Sequence, residues 1–169
     1  MTDIREETPA DAAAIAALHR LAFAGEAEAE IVERLRQEEL VVASLVATDG
    51  GAIVGHILFS DLAVEVDGKS VQAVSLAPVA VQPARQRQGI GSRLIRAGLA
   101  LVRERGRRAV IVLGHAGYYP RFGFSAALAG KLQSPFPGKH FMALELQPGA
   151  LAGRQGSVRY PAAFGIPDA

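Results

Sequence analysis

A chain of 169 residues, half of them hydrophobic and only 6% aromatic, has enough material for one core built from Ala, Val, Leu and Ile. It contains no cysteine, which excludes disulfides, thiolate metal sites and a cysteine nucleophile. A formal net charge of +1 gives no global field favouring nucleic acid or membrane.

The charge is unevenly placed. Residues 26–39 carry six Glu, whereas residues 85–108 carry eight Arg against one acid, Glu104. The stretch Met1–Glu7 is polar and lacks the apolar region of a signal peptide. No apolar run approaches the roughly 20 residues that a membrane span needs. With the absence of cysteine, these features set the expectation of a cytoplasmic protein of one domain, residues 1–169.

In chain order, Ile4 sits in a short first strand. Thr8 and Pro9 have the chemistry of a helix start, a capping hydroxyl followed by a proline at the first helical position. Ile15, Leu18, Leu21 and Ala22 then recur at helical spacing to about Phe23, and Gly25 ends that helix. A second helix covers about Ala27–Gln37, its Glu-rich face in solvent. Leu40–Thr48 reads as a strand, and Asp49-Gly50-Gly51 as a hairpin turn. Ala52–Val66 is a second strand, expected to bend near Ser60-Asp61. Asp67-Gly68 marks another hairpin, and Val71–Val81 is a largely apolar strand of the kind buried on both faces. Pro78 within it signals a bulge, a place where pairing stops, or an edge strand that tolerates a proline.

The strand ends at Val79-Ala80-Val81, and Gln82-Pro83-Ala84-Arg85-Gln86-Arg87-Gln88 leads into Gly89-Ile90-Gly91-Ser92. Gly-Ile-Gly then opens a helix whose inner face carries Leu94, Ile95, Leu101 and Val102, closed at Arg105-Gly106. Ala109–Leu113 is a short buried strand, completing a βαβ unit. A loop, Gly114-His115-Ala116-Gly117, precedes Tyr118-Tyr119-Pro120-Arg121-Phe122-Gly123-Phe124, which reads as one or two helical turns closed by Gly123, with an extended stretch from Phe124. Residues 129–139 look like a loop, His140–Leu146 a strand, Pro148–Leu151 one helical turn, and Arg154–Ala169 a tail packed through Val158, Tyr160 and Phe164.

A loop that opens a helix with two glycines presents backbone N–H groups to a phosphate. A dinucleotide fingerprint fails because Leu94 stands where its third glycine is needed, and a Walker loop fails for want of Gly-Lys-Ser/Thr. Nucleic-acid binding by the Arg stripe is disfavoured by the near-neutral charge and the lack of interleaved aromatics.

Gln86-Arg87-Gln88-Gly89-Ile90-Gly91 matches the Gln/Arg-x-x-Gly-x-Gly/Ala loop of the GNAT superfamily N-acetyltransferases. Tyr118-Tyr119-Pro120-Arg121-Phe122-Gly123-Phe124 resembles that family's second signature. The Gly-His-x-x-Tyr-Tyr-x-Arg-Phe-Gly-Phe form is similar to a bacterial subgroup of acetyltransferases, and the element order agrees over nearly the whole chain.

The resemblance implies an α/β (mixed α+β) fold, with a central mixed, mostly antiparallel sheet, splayed at its central strands and flanked by helices. It implies acetyl-CoA as co-substrate and a primary amine, of a small molecule or a protein, as acceptor. Val79, Ala80 and Val81 would meet pantetheine through their backbone. Gln86, Arg87, Gln88, Gly89, Ile90, Gly91 and Ser92 would hold the pyrophosphate, with Arg85 and Arg87 as candidates for the 3′-phosphate. Tyr119 would be the general acid. A homodimer is common among such proteins. The alternative on the same fold is a catalytically silent acyl-CoA-binding or regulatory module.

The base is left open by the sequence. His115 follows a strand at its carboxyl end, where ligands collect in α/β sheets, and is the first candidate. His56 reads as a structural or substrate-wall residue, and Glu65 and Ser75 are weaker candidates. No spacing suggests a metal, and without a thiol nucleophile direct attack in a ternary complex is the expected chemistry.

Overall fold

The computed structural model describes residues 2–166, so Met1 and the last three residues of the expected tail lie outside the described residues. Two compact units make up the chain, Met1–Ser60 with Ala77–Val102, and Asp61–Leu76 with Arg103–Ala169. Each is discontinuous, because two long strands, β3 (Ala52–Val66) and β4 (Lys69–Val81), contribute to both.

The first unit begins with β1 (Asp3–Glu6) and a 3-10 turn, Pro9–Asp11. Thr8 precedes this turn as its N-cap, as expected, and Asp11 answers it from the third position of the turn. The Asp11 carboxylate accepts from the Thr8 N–H at 2.7 Å and from its Oγ1 at 3.2 Å, and also holds Arg5 at 2.8 Å. Helices α1 (Ala12–Phe23) and α2 (Ala27–Gln37) then pack against one another. They bury Ile15, Leu18, Val32 and Leu35, the residues spaced for one face.

Strand β2 (Val41–Asp49) pairs antiparallel with β1, from Asp3↔Thr48 to Glu6↔Leu45. It pairs antiparallel with β3 from Val41↔Ser60 to Asp49↔Ala52. Helix α3 (Ile90–Glu104) covers one face of β3 in this unit. Gly98 is the point of closest approach: a Cβ there would stand 2.2 Å from Cε2 of Phe59. Strand alternation puts Gly55 on the same face as Phe59, against Leu94 and Ile90 of α3, and turns His56 to the opposite face.

In the second unit β3 continues without a break, but its partner changes where a bend was expected. β2 pairs with it up to Ser60, and β8 (Gly156–Arg159) from Ala63 onward. β4 pairs in parallel with β5 (Ala109–Leu113), Ala73–Ser75 opposite Ala109–Ile111, although β4 runs on to Val81 and β5 to Leu113. Pro78 does not interrupt β4. The Ala77–Pro78 bond is cis, and the ladder to β5 has already ended at Ser75.

β5 pairs antiparallel with β7 (Phe141–Glu145) from Ala109↔Glu145 to Leu113↔Phe141. The order is therefore β1-β2-β3-β4-β5-β7, a mixed and mostly antiparallel sheet with flanking helices. The core of this unit gathers Val64, Ala73, Ile111, Phe141, Leu151 and Val158.

Three elements here differ from the sequence expectation. The extended stretch after Phe124 is a single bridge, Ser125↔Ala143, followed by helix α4 (Ala126–Ala129), which Ser125 caps by accepting from the Leu128 N–H at 3.1 Å. The loop at 129–139 contains strand β6 (Leu132–Gln133). The tail supplies β8, which pairs in parallel with β6 and antiparallel with β3. Tyr160 does pack as expected, edge-on to Phe136 at 5.8 Å and to Phe164 at 5.5 Å. Among the described residues no helix is long and apolar enough to cross a membrane, and no group of three or more His, Asp or Glu is placed to hold a metal ion.

Candidate functional site

In the first unit the end of β4 runs into a 3-10 turn, Pro83–Arg85, and then α3. The strand end is anchored on β3, since the Gln82 N–H donates to the Val54 carbonyl at 2.8 Å. The Gln86 amide reaches back and donates to the Val81 carbonyl at 3.1 Å. Gln86 thus braces the loop through its side chain.

Arg87 adopts φ +64° and Gly89 φ +84°, both in the left-handed region. At Gly89 nothing lies within 4 Å of where a Cβ would be, so the glycine answers to backbone conformation rather than to crowding. The Arg93 N–H donates to the Gly89 carbonyl at 3.1 Å, which makes Gly89 the residue preceding the first helical turn. The N–H groups of Ile90 and Gly91 consequently have no acceptor within the helix. They sit at the positive end of a 15-residue helix dipole. Backbone in this arrangement is suited to an anion.

The two loop arginines behave differently. Arg85 is committed within the protein: its Nη1 lies 2.7 Å from Asp49 Oδ2, in the β2–β3 hairpin, and its Nε donates to Gln88 Oε1 at 3.3 Å. The Arg85 hydrogen bond holds the Asp49 carboxyl below its ordinary pKa. The Arg87 side chain is exposed.

The second unit carries the aromatic loop. Tyr118 and Tyr119 N–H groups both donate to the His115 carbonyl, at 3.0 and 3.2 Å, which starts the 3-10 turn Tyr119–Phe122. Tyr119 is 7% exposed. Its ring stands edge-on to Tyr118 at 5.2 Å and to Phe124 at 5.7 Å. It lies directly on Gly114, where a Cβ would come within 2.3 Å of its Cε2. Burial, and secondarily Tyr118, pushes the Tyr119 hydroxyl up to about 12, so it stays protonated at neutral pH. Tyr118 is only half-buried, and Arg121 lies over its ring at 4.5 Å.

His115 is exposed at the carboxyl end of β5. His140, immediately before β7, is by sequence only the start of a strand. Its Nδ1 lies 3.0 Å from the Gly114 carbonyl oxygen, and the Gly114 N–H donates to the His140 carbonyl at 2.9 Å. No local sequence signal marks this residue, because its partner is supplied by the β5–β7 pairing.

The remaining candidates are structural. His56 is fully buried and bonded on both ring nitrogens, to Ser44 Oγ and to His19 Nε2, each at 2.8 Å, so it cannot line an open wall. Ser75 is buried in the β4–β5 ladder opposite Ile111. Glu65 is exposed on β3 opposite Ser157.

A family model described as an acetyltransferase (GNAT) domain matches residues 3–127. The N-acetyltransferase YhbS of Escherichia coli K12 is 39% identical over 160 residues, which are 93% of this chain and 95% of that protein. The 1.55 Å crystal structure of Escherichia coli YhbS in complex with CoA is similar, with a TM-score of 0.89 and 38% identity, over 98% of this chain and 92% of that one. A GNAT family acetyltransferase from Brucella melitensis, solved in complex with acetyl-CoA, gives a TM-score of 0.80 and 40% identity over 97% of this chain and 98% of its own. Relatives of this identity and coverage, on a sheet of this order and with both signature loops in place, show that the chain belongs to the GNAT family and is an N-acetyltransferase.

Proposed function

We propose that the protein transfers an acetyl group from acetyl-CoA to a primary amine by direct attack in a ternary complex. The observation that carries this reading is the backbone cradle at the start of α3, with Arg87 and Gly89 left-handed and the Ile90 and Gly91 N–H groups without helical acceptors. Such a cradle takes a pyrophosphate without needing a lysine. The loop from Gln86 to Ser92 holds that group, Gln86 by bracing Val81 and the others through backbone. The strand end Val79-Ala80-Val81 receives the pantetheine arm by backbone contact. The complexes of YhbS with CoA and of the Brucella melitensis protein with acetyl-CoA support the choice of ligand.

In the reaction the amine nitrogen bonds to the thioester carbonyl carbon and the carbon–sulfur bond breaks. Tyr119 gives its hydroxyl proton to the departing sulfur. A free thiol ionises at about 8.5, so the departing sulfur gains from a proton donor, and burial leaves the Tyr119 hydroxyl protonated at neutral pH with a proton to give. His115, exposed at the end of β5, is a candidate to receive the amine proton. The acceptor class is a primary amine, on a small molecule or on a protein. A catalytically silent acyl-CoA-binding module would retain the cradle, but a buried, protonated Tyr119 would then have no chemistry to perform.

The test is thiol release from acetyl-CoA with a panel of primary amines, for the native protein and Tyr119→Phe. The expected result is turnover with at least one amine, and a fall in kcat of roughly 10²-fold in the variant with acetyl-CoA affinity unchanged. Acetyl-CoA binding without turnover on any amine would favour the silent module. Loss of binding rather than of turnover in Tyr119→Phe would remove the general-acid role.

A further inference from the structure

We propose that His140 is the base that takes the proton from the attacking amine. The proposal rests on the acetyl-transfer reading above and gives the base role to His140 in place of His115. A carbonyl oxygen can only accept a hydrogen bond, so the 3.0 Å contact between His140 Nδ1 and the Gly114 oxygen places the imidazole proton on Nδ1. The lone pair of the neutral ring is then on Nε2. Donation from Nδ1 to a carbonyl fixes the ring's orientation and leaves Nε2 as the accepting nitrogen, and imidazole is the side chain suited to proton transfer near neutral pH.

The position of the ring is fixed as well as its tautomer. The Gly114 N–H donates to the His140 carbonyl at 2.9 Å, and the adjoining Leu113↔Phe141 pair ends the β5–β7 ladder. Gly114 therefore holds His140 through both its N–H and its C=O. The same Gly114 carries the ring of Tyr119 against its Cα, a contact that any side chain at 114 would close. One residue at the carboxyl end of β5 thus positions a buried hydroxyl acid and an exposed imidazole whose Nε2 is free to accept.

His115 lacks this arrangement. Its backbone carbonyl shapes the Tyr118–Tyr119 turn, but no hydrogen bond sets the tautomer of its ring among the described residues.

The proton balance is complete. The amine nitrogen forms the new C–N bond and loses one proton to His140 Nε2, while the sulfur leaves with the proton of Tyr119 Oη. Solvent exchange at the exposed imidazole and at the phenol restores both groups.

The experiment measures kcat/KM against pH, with the best amine from the panel, for the native protein, His140→Gln and His115→Gln. Acetyl-CoA affinity and thermal midpoint serve as controls, and His140 is exposed, so its replacement is expected to leave both within error. The expected result is that His140→Gln lowers kcat by roughly 10²-fold at neutral pH. The variant should also lose the acidic limb of the profile and recover activity with added imidazole, while His115→Gln keeps the limb. A native limb and native kcat in His140→Gln, or loss of the limb in His115→Gln, would overturn the assignment of His140 and leave acetyl transfer standing. Absence of turnover in the native protein with every amine would overturn both.

Discussion

Nε2 of His19 and Nδ1 of His56 lie 2.8 Å apart in the core of the first unit, with neither residue exposed to solvent. His56 Nε2 is bonded in turn to Ser44 Oγ, which joins α1, β3 and β2 by one chain of side-chain hydrogen bonds. The His19 ring also stacks on Phe23, at 5.8 Å and nearly parallel. His19 Nδ1 is buried without a hydrogen-bond partner. A lone pair is less costly to leave there than an N–H, so the favoured chain runs from His19 Nε2–H to His56 Nδ1 and from His56 Nε2–H to Ser44 Oγ.

Both rings are held neutral. Burial, and then Arg36, lowers His19 to about 4, and burial lowers His56 well below its ordinary value, with His19 and Arg36 contributing. In the unfolded chain each would titrate at about 6.5. The unfolded state therefore binds more protons than the native state between these values, so stability present above pH 6.5 is lost as pH falls toward 4. For His19 alone the loss is about 2 kcal/mol by pH 5, of about 3 in all once pH passes below 4. Urea denaturation midpoints from pH 8 to pH 5 should fall accordingly. His19→Gln, whose amide can still donate to His56, should flatten the profile; an unchanged slope would exclude this origin.

Replacing Gly89 with Ala should strain the cradle without crowding it. An L-residue in the left-handed region costs about 1–2 kcal/mol, and nothing lies within 4 Å of the new Cβ. Relaxation of that strain would turn the Ile90 and Gly91 N–H groups away from the pyrophosphate. The expected outcome in steady-state kinetics is a KM for acetyl-CoA raised about tenfold, with a smaller change in kcat, as a loss of 1.4 kcal/mol of binding requires. An unchanged KM would mean that the helix start does not hold the ligand.

Arg85 should prove structural and Arg87 should not. Arg85 is paired with Asp49, whereas the Arg87 guanidinium is exposed beside the cradle. Comparing CoA with CoA lacking its 3′-phosphate separates the two roles. Arg87→Gln should reduce the preference for the phosphorylated form, and Arg85→Gln should weaken both forms alike. A selective effect of Arg85→Gln would show that its pair with Asp49 is given up on binding.

Gly98→Ala should destabilise the protein by about 1–3 kcal/mol through overpacking, since the added Cβ would stand 2.2 Å from the Phe59 ring. The ring cannot withdraw easily because Phe59 is fully buried. A urea midpoint equal to the native value would show that α3 can shift on the sheet at little cost.

The elements most legible in the sequence were those whose periodicity and end signals coincide. Helix α2 begins and ends at Ala27 and Gln37 as expected, and β5 covers Ala109–Leu113. Helix α3 also follows its apolar spacing and its terminal glycine. The elements that were missed are short. Helix α4 has four residues and strand β6 two, too few for any period to emerge. Only the Ser125 cap carried a local signal for α4. Strand β8 exists because β3 and β6 offer it partners, which no local pattern in a Gly- and Arg-containing tail could announce.

The sequence by itself determined the helix start at Gly89, because it is local: Gly89, the loop before it and the helix after it are contiguous in the chain. It also placed Tyr119 within a recognisable aromatic signature. Only the tertiary structure decided what the isolated histidines and arginines do. His56 became a buried bonding partner through its face of β3, Arg85 was drawn to a hairpin 36 residues upstream at Asp49, and His140 acquired a fixed tautomer from Gly114 across a strand pair. Each outcome depends on a partner distant in sequence, and such partners are set by sheet register rather than by composition or spacing.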